Sequence, residues 1–451
     1  MASALSTDLY ELTMTVSYLR RRMTAPATFS LLVRNLPSQR GFLVSAGLSD
    51  CLDFLSGFRF TDDELAYVGE LLQLPDRDVR RLAGLRFTGD VWAVPEGHVV
   101  SGGTPLLEVT APLPEAQLVE TALLNFVTFQ TAVASKAARC RLAAPHAQLI
   151  DFGMRRTQSL QAAMQVARAS AIAGFDATSN VAAARRFGLV ASGTMAHSYV
   201  QAFPNEAEAF RAFAADFPSR AVFLVDTYDT LAGTAIAAEV AKASGLGASA
   251  GIRLDSGDLA ELAFGARRIL DAAGVPAVRI VASGGLDEYA LDRLVRAGAP
   301  IDAYGVGTRL GTSADAPYLD TAYKLVEYDG RPVFKLSPGK ATTPGRKQVF
   351  RSPGLVDSVG IRDEVPPAGT RPLLQQVMRG GERTAIDSLA PARARCAADL
   401  AELSDDHRRL QDPVPLFARW TPQLLALAAM MKGPESSSSA RTTGERSRRS
   451  Y

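Results

Sequence analysis

Cysteine and histidine are scarce: 451 residues carry 3 Cys and 4 His. Cys51, Cys140 and Cys396 form no CxxC pair and no Cys/His cluster, which excludes a zinc site and a disulfide framework and fits a reducing compartment. A surplus of either charge is lacking too, with 49 basic residues against 47 acidic ones. The stretch from Gly433 onward holds Arg441, Arg446, Arg448 and Arg449 against Glu435 and Glu445, a surplus equal to the whole formal charge of +2. A neutral body excludes a nucleic-acid groove that neutralises many phosphates, so any phosphate chemistry is local. The start has no basic segment followed by an apolar one, and the apolar run at 424–431 is too short to span a bilayer. These absences predict a soluble cytoplasmic protein with no membrane or nucleic-acid partner.

Hydrophobic residues make up 47% of the chain, enough for one or two large cores. Residues 1–145 read as a mixed α/β domain with a connecting helix. A helix is expected near 8–20, strands at 27–34, 89–94 and 105–110, and a long helix over 115–144, where Leu118, Ala122, Leu123, Phe126 and Phe129 recur at helical spacing. Residues 146–345 change rhythm to short apolar runs alternating with helical stretches, the pattern of consecutive parallel βα units. The runs are 148–152, 189–192, 221–226, 251–255, 279–283 and 303–306. A strand, an Asp329-Gly330 turn and a second strand close this part over 322–336. Residues 346–432 are expected to pack back on the N-terminal domain. Residues 433–451 hold too little apolar surface to offset the entropy of ordering and read as a disordered tail.

Each run ends in groups suited to phosphate, ribose or charge: Asp151 with Arg155, the stretch from Ser192 to His197, Asp226, Arg253 with Asp255, Ser283-Gly284-Gly285, and Gly305 to Thr308. In βα barrels the C-terminal strand ends form one ligand-binding face. Gly and Asp also mark ordinary turns, and for any single loop that reading is the commoner; six loops together favour a site. Arg253, Asp255 and Asp258 combine a fixed cation with carboxylates that suit a polyol phosphate or Mg²⁺. Ser283-Gly284-Gly285 and Gly307-Thr308 follow adjacent late strands, where freed backbone N–H groups can cradle a phosphate. His197 is the one histidine at an expected strand end. A lone histidine is more often structural, yet glycine, threonine and serine surround this one, and residue chemistry leaves both readings open.

Taken in order, STDLYELTM at 6–14, DFGMRR at 151–156, GFDATSN at 174–180, GTMAHS at 193–198, VDTYDT at 225–230, RLDSGD at 253–258 and PGRKQVFR at 344–351 resemble the nicotinate phosphoribosyltransferases. The resemblance implies a type II phosphoribosyltransferase: an irregular α/β barrel beside an α/β sandwich domain built mainly from the N-terminal part. It implies transfer of phosphoribosyl from phosphoribosyl pyrophosphate to nicotinate, coupled to ATP hydrolysis, with Mg²⁺, in a homodimer with shared active sites. Tyr10 of one subunit would then stack on the pyridine ring opposite Phe152 of the other. Arg155 and Arg253 would contact anionic groups, and Asp255 ribose hydroxyls or the metal. Ser283, Gly284, Gly285, Gly307 and Thr308 would hold the 5′-phosphate. His197 would be phosphorylated by ATP, with Asp226 orienting its ring.

The resemblance also sets the base. Related nicotinamide enzymes carry an aspartate at the place of Ser179, where it would repel a nicotinate carboxylate. Several relatives carry an acidic or amide residue at the place of Gly284, so a side-chain contact is expected to be missing here. A nicotinamide or quinolinate enzyme on the same fold is the alternative; Ser179 weighs against the first and His197 against the second. A catalytically silent relative would be expected to have lost His197, Arg253 or Asp255, and all three are present.

Overall fold

The strand Pro26–Val33 (β1) buries almost every side chain and has antiparallel partners on both edges. The computed structural model describes residues 3–335, 342–384 and 388–432. After β1 come Asp90–Ala93 (β2) and Pro105–Pro112 (β3), then helix Leu113–Leu118 and the 24-residue helix Glu120–Ala143. The single long helix expected over 115–144 is thus two helices, broken at Val119.

Seven short parallel strands come next: β4 (Gln148–Asp151), β5 (Ala177–Thr178), β6 (Val190–Ala191), β7 (Val222–Leu224), β8 (Gly251–Leu254), β9 (Arg279–Ala282) and β10 (Ala303–Val306). Their order in the sheet is β6-β5-β4-β10-β9-β8-β7. The strands therefore run in barrel sequence, β10 closing onto β4, with one seam open between β6 and β7. The connection across the seam packs on the β7 side of it. Met195, Val200 and Phe210, from the connection across it, share a core with Phe223 and Val225, and the Phe210 and Phe223 rings lie 5.0 Å apart. The helices between strands start on side-chain caps: Asn180, Asp229, Asp258 and Asp287 each accept a bond from a backbone N–H of the first turn.

The chain then returns to the first sheet. Thr321–Tyr328 (β11) pairs along β1, with Phe29 stacked on Tyr323 at 4.7 Å, and turns at Asp329 into Arg331–Pro332. Gln375–Arg379 (β12) pairs with β2, so the first sheet reads Arg331–Pro332, β11, β1, β3, β2, β12, Glu382–Arg383. The sandwich is thus built mainly from N-terminal residues and completed by later ones. A separate core under the barrel gathers Ala134, Ala137, Leu149, Ile172, Tyr304 and Leu310 around helix Glu120–Ala143. Among the described residues no helix is long and apolar enough to cross a membrane. The segment 433–451 lies outside the described residues.

Candidate active site

Parallel strands deliver their C-terminal ends to one rim, and backbone bonds extend past the strands to fix the loops beyond them. Phe152 N donates to Val306 O at 2.9 Å, Ser179 N to Asp151 O at 2.8 Å and Ser283 N to Leu254 O at 2.9 Å. The first residues of these loops are therefore held as firmly as the barrel. Asp151 is buried beneath them; burial pushes its carboxyl above the usual range, while bonds from Gly153 N and Thr178 Oγ1, each 2.8 Å, favour the ionised form.

Arg253 is the hub of the rim. Its Nε donates to Ser283 Oγ at 2.7 Å, Nη2 to Asp255 Oδ1 at 2.7 Å and Nη1 to Thr194 Oγ1 at 3.0 Å. Its guanidinium also lies 5.5 Å from the Phe152 ring centroid, within cation–π range. Ser283 Oγ in turn donates to Asp255 Oδ1 at 2.5 Å. Burial opposes ionisation of Asp255, but the Ser283 hydrogen bond and the Arg253 charge hold its carboxyl below the usual range. A charged, pre-organised cluster results, part-buried and open to the rim.

Both glycine loops need glycine for a reason visible in the packing. Gly284 has φ +93°, and a Cβ there would stand 2.0 Å from Asp255 O. A Cβ at Gly305 would meet the Phe152 ring at 2.6 Å. Arg156 Nη1 reaches Thr308 Oγ1 at 3.4 Å, and its neighbour Arg155 is exposed on the same short turn. Asp258 is spent on capping helix Leu259–Ala272, leaving Asp255 as the carboxylate of this loop that joins the site.

His197 opens a short helix just past the seam, its side chain 42% exposed. Its Nδ1 is 3.2 Å from Thr227 Oγ1, and its Nε2 is 4.0 Å from Asp226 Oδ1. The ring is thus hydrogen-bonded to Thr227 and only near Asp226, whose other oxygen accepts from Ser256 Oγ at 2.6 Å and from Asp255 N at 3.2 Å. Oδ1 of Asp226 is buried without a hydrogen-bond partner. Among the described residues no three His, Cys, Asp or Glu side chains converge as a metal cage. Thr194 joins the site from the stretch before His197, and Thr227, Ser256 and Arg156 join it although residue pattern alone does not single them out; each sits inside one of the family-like segments.

Tyr10 stands apart. It is 46% exposed on helix Leu9–Arg20, which packs on Leu113–Leu118 of the sandwich. Burial and the carboxylates of Glu120 and Glu11 push its phenol above the usual value. Ser179 lies half-buried after β5, on the same rim as Phe152.

Three family models match in series: the nicotinate phosphoribosyltransferase N-terminal domain over residues 5–128, the nicotinate phosphoribosyltransferase family over 147–355 and the C-terminal domain over 346–428. The nicotinate phosphoribosyltransferase pncB2 of Mycobacterium tuberculosis is 47% identical over 416 residues, covering 91% of this chain and 89% of that one. The nicotinate phosphoribosyltransferase of Bacillus subtilis is 46% identical over 357 residues, covering 77% and 73%. The crystal structure of human nicotinic acid phosphoribosyltransferase superposes with a TM-score of 0.83 at 31% identity, over 94% of this chain and 99% of that one. With the rim described and these matches spanning sandwich and barrel together, the chain belongs to the nicotinate phosphoribosyltransferase family.

Proposed function

We propose that the chain transfers phosphoribosyl from phosphoribosyl pyrophosphate to nicotinate, giving nicotinate mononucleotide and pyrophosphate in NAD biosynthesis, and couples this to ATP hydrolysis. The observation that carries the reading is the convergence of Arg253, Asp255, Ser283 and two glycine loops on one rim, beside a part-exposed histidine. Chromatographic detection of nicotinate mononucleotide tests it.

Bond making needs little acid–base help. As pyrophosphate leaves, the ribose carbon gains positive charge, and the pyridine nitrogen attacks from the opposite face with its own lone pair. Positioning and charge neutralisation do most of the work. In this reading Ser283, Gly284, Gly285, Gly307 and Thr308 hold the 5′-phosphate, and Asp255 accepts from the ribose hydroxyls. Arg253 and Arg155 contact anionic groups, with Arg156 added by its contact to Thr308. Ser179 leaves the nicotinate carboxylate unopposed by like charge.

Phe152 offers one face of a stacking slot. Tyr10 of a second subunit offers the other, a role favoured by its exposure on the sandwich. The active form is then a homodimer. His197 takes the γ-phosphoryl group of ATP: an N–P bond forms as the bond to ADP breaks, and hydrolysis later releases inorganic phosphate. Thr227 holds the ring for this step. Magnesium fits Asp226 and Asp255, since Asp226 Oδ1 is buried without a partner and Mg²⁺ is commonly held by one or two carboxylates plus substrate phosphates. Bound there, it would neutralise charge on the leaving pyrophosphate.

A further inference from the structure

Five charged side chains, each 4% exposed or less, form a closed network under the barrel: Arg40, Lys136, Arg139, Glu288 and Asp315. Lys136 is its centre, with Nζ 2.5 Å from Glu288 Oε2 and 3.0 Å from Asp315 Oδ1. Arg40 completes the Asp315 end at 2.8 Å and also donates to Ser313 Oγ at 2.7 Å. Arg139 completes the Glu288 end at 3.0 Å.

The two carboxylates are placed with consequence. Glu288 is the first residue of the helix that comes after Ser283-Gly284-Gly285, and Asp315 lies just beyond the short helix Thr308–Gly311 that comes after Gly307. Helix Glu120–Ala143, which carries Lys136 and Arg139, packs against both of those helices. One ammonium therefore ties together the bases of the two glycine loops. The network also holds three cations against two carboxylates, so its net charge is positive. Burying so many charges is costly unless each is paired, and well-packed apolar residues would hold the same elements at least as firmly. Stability alone does not account for it.

We propose that Lys136 is a positioning residue for the phosphate group of phosphoribosyl pyrophosphate: by bridging Glu288 and Asp315 it sets the spacing of the two loops and adds positive potential behind them. The inference rests on the reading of those loops as the phosphate site. Lys136 touches no substrate and acts through the loops.

The test compares wild type, Lys136→Met, Glu288→Gln and Thr308→Ala. For each, the KM for phosphoribosyl pyrophosphate and the KM for nicotinate are measured separately, and binding of ribose 5-phosphate, which carries the 5′-phosphate alone, is monitored by titration calorimetry. Lys136→Met is expected to raise the phosphoribosyl pyrophosphate KM about tenfold or more and to weaken ribose 5-phosphate binding in parallel, with the nicotinate KM within about twofold of wild type. Glu288→Gln keeps the side-chain shape, and it is expected to move the same two readouts in the same direction should Lys136→Met fail to fold. If Thr308→Ala weakens ribose 5-phosphate binding while both network variants bind as wild type and lose only melting temperature, the network is structural and the inference is overturned. If Thr308→Ala also leaves binding unchanged, the loops are not the phosphate site and the reading beneath it falls instead.

Discussion

The Cβ position of Gly284 lies 2.0 Å from the carbonyl oxygen of Asp255, at a backbone φ of +93°. The loop after β9 is therefore pressed against the loop after β8, and a side chain at this position has no room. Gly284→Ala forces the two loops apart by about an ångström, and a displacement of that size at a binding site costs about 10²-fold. Steady-state kinetics are expected to show that loss in kcat/KM for phosphoribosyl pyrophosphate; wild-type kinetics in the variant would show that the loop is free to move.

Asp255 gives the site an acid limit. Its carboxyl is depressed, burial being outweighed by Ser283 and Arg253. A depressed carboxyl contributes stability that is fully present above the unfolded value of about 3.9 and is lost as pH falls through the folded one. Ser283→Ala removes a bond that favours the ionised form, so acid unfolding monitored by circular dichroism is expected to begin at higher pH in the variant. An unchanged acid midpoint would mean that Ser283 does not hold the carboxylate.

Ser179→Asp tests the choice of base. A carboxylate at this position would repel nicotinate and accept a hydrogen bond from a carboxamide, and like charges held together in a binding interface cost several kcal/mol, roughly 10²-fold or more. The nicotinate KM is expected to rise by that order and nicotinamide to become a detectable substrate. A variant with unaltered preference would place the discriminating group elsewhere.

His197→Ala separates coupling from transfer. The variant is expected to form nicotinate mononucleotide slowly whether or not ATP is present, because the ring that carries the phosphoryl group is gone while Arg253, Asp255 and both loops remain. Retained ATP stimulation would remove His197 from the coupling step.

The barrel is legible in the sequence wherever a strand runs four residues and ends in a marked loop, as at Gly251–Leu254 and Arg279–Ala282. Ala177–Thr178 is not, because two residues carry no periodicity, and the open seam beside Val190–Ala191 is a matter of pairing that local pattern does not encode. Site residues are legible where motif and strand end coincide, as at Arg253 and Ser283. Arg156 is hidden behind its neighbour because a turn decides which of two adjacent arginines faces Thr308. The Lys136 network is invisible for a simpler reason: its members are separated by up to 275 positions, and a lysine inside a long helical pattern reads as a solvated face.

The most direct measurement is product formation by the purified protein with phosphoribosyl pyrophosphate and Mg²⁺, offering nicotinate or nicotinamide, each with and without ATP. Turnover of nicotinate that ATP stimulates is expected, and none of nicotinamide. Turnover of nicotinamide in preference to nicotinate, or of neither base, would contradict the assignment of a nicotinate-specific, ATP-coupled transferase.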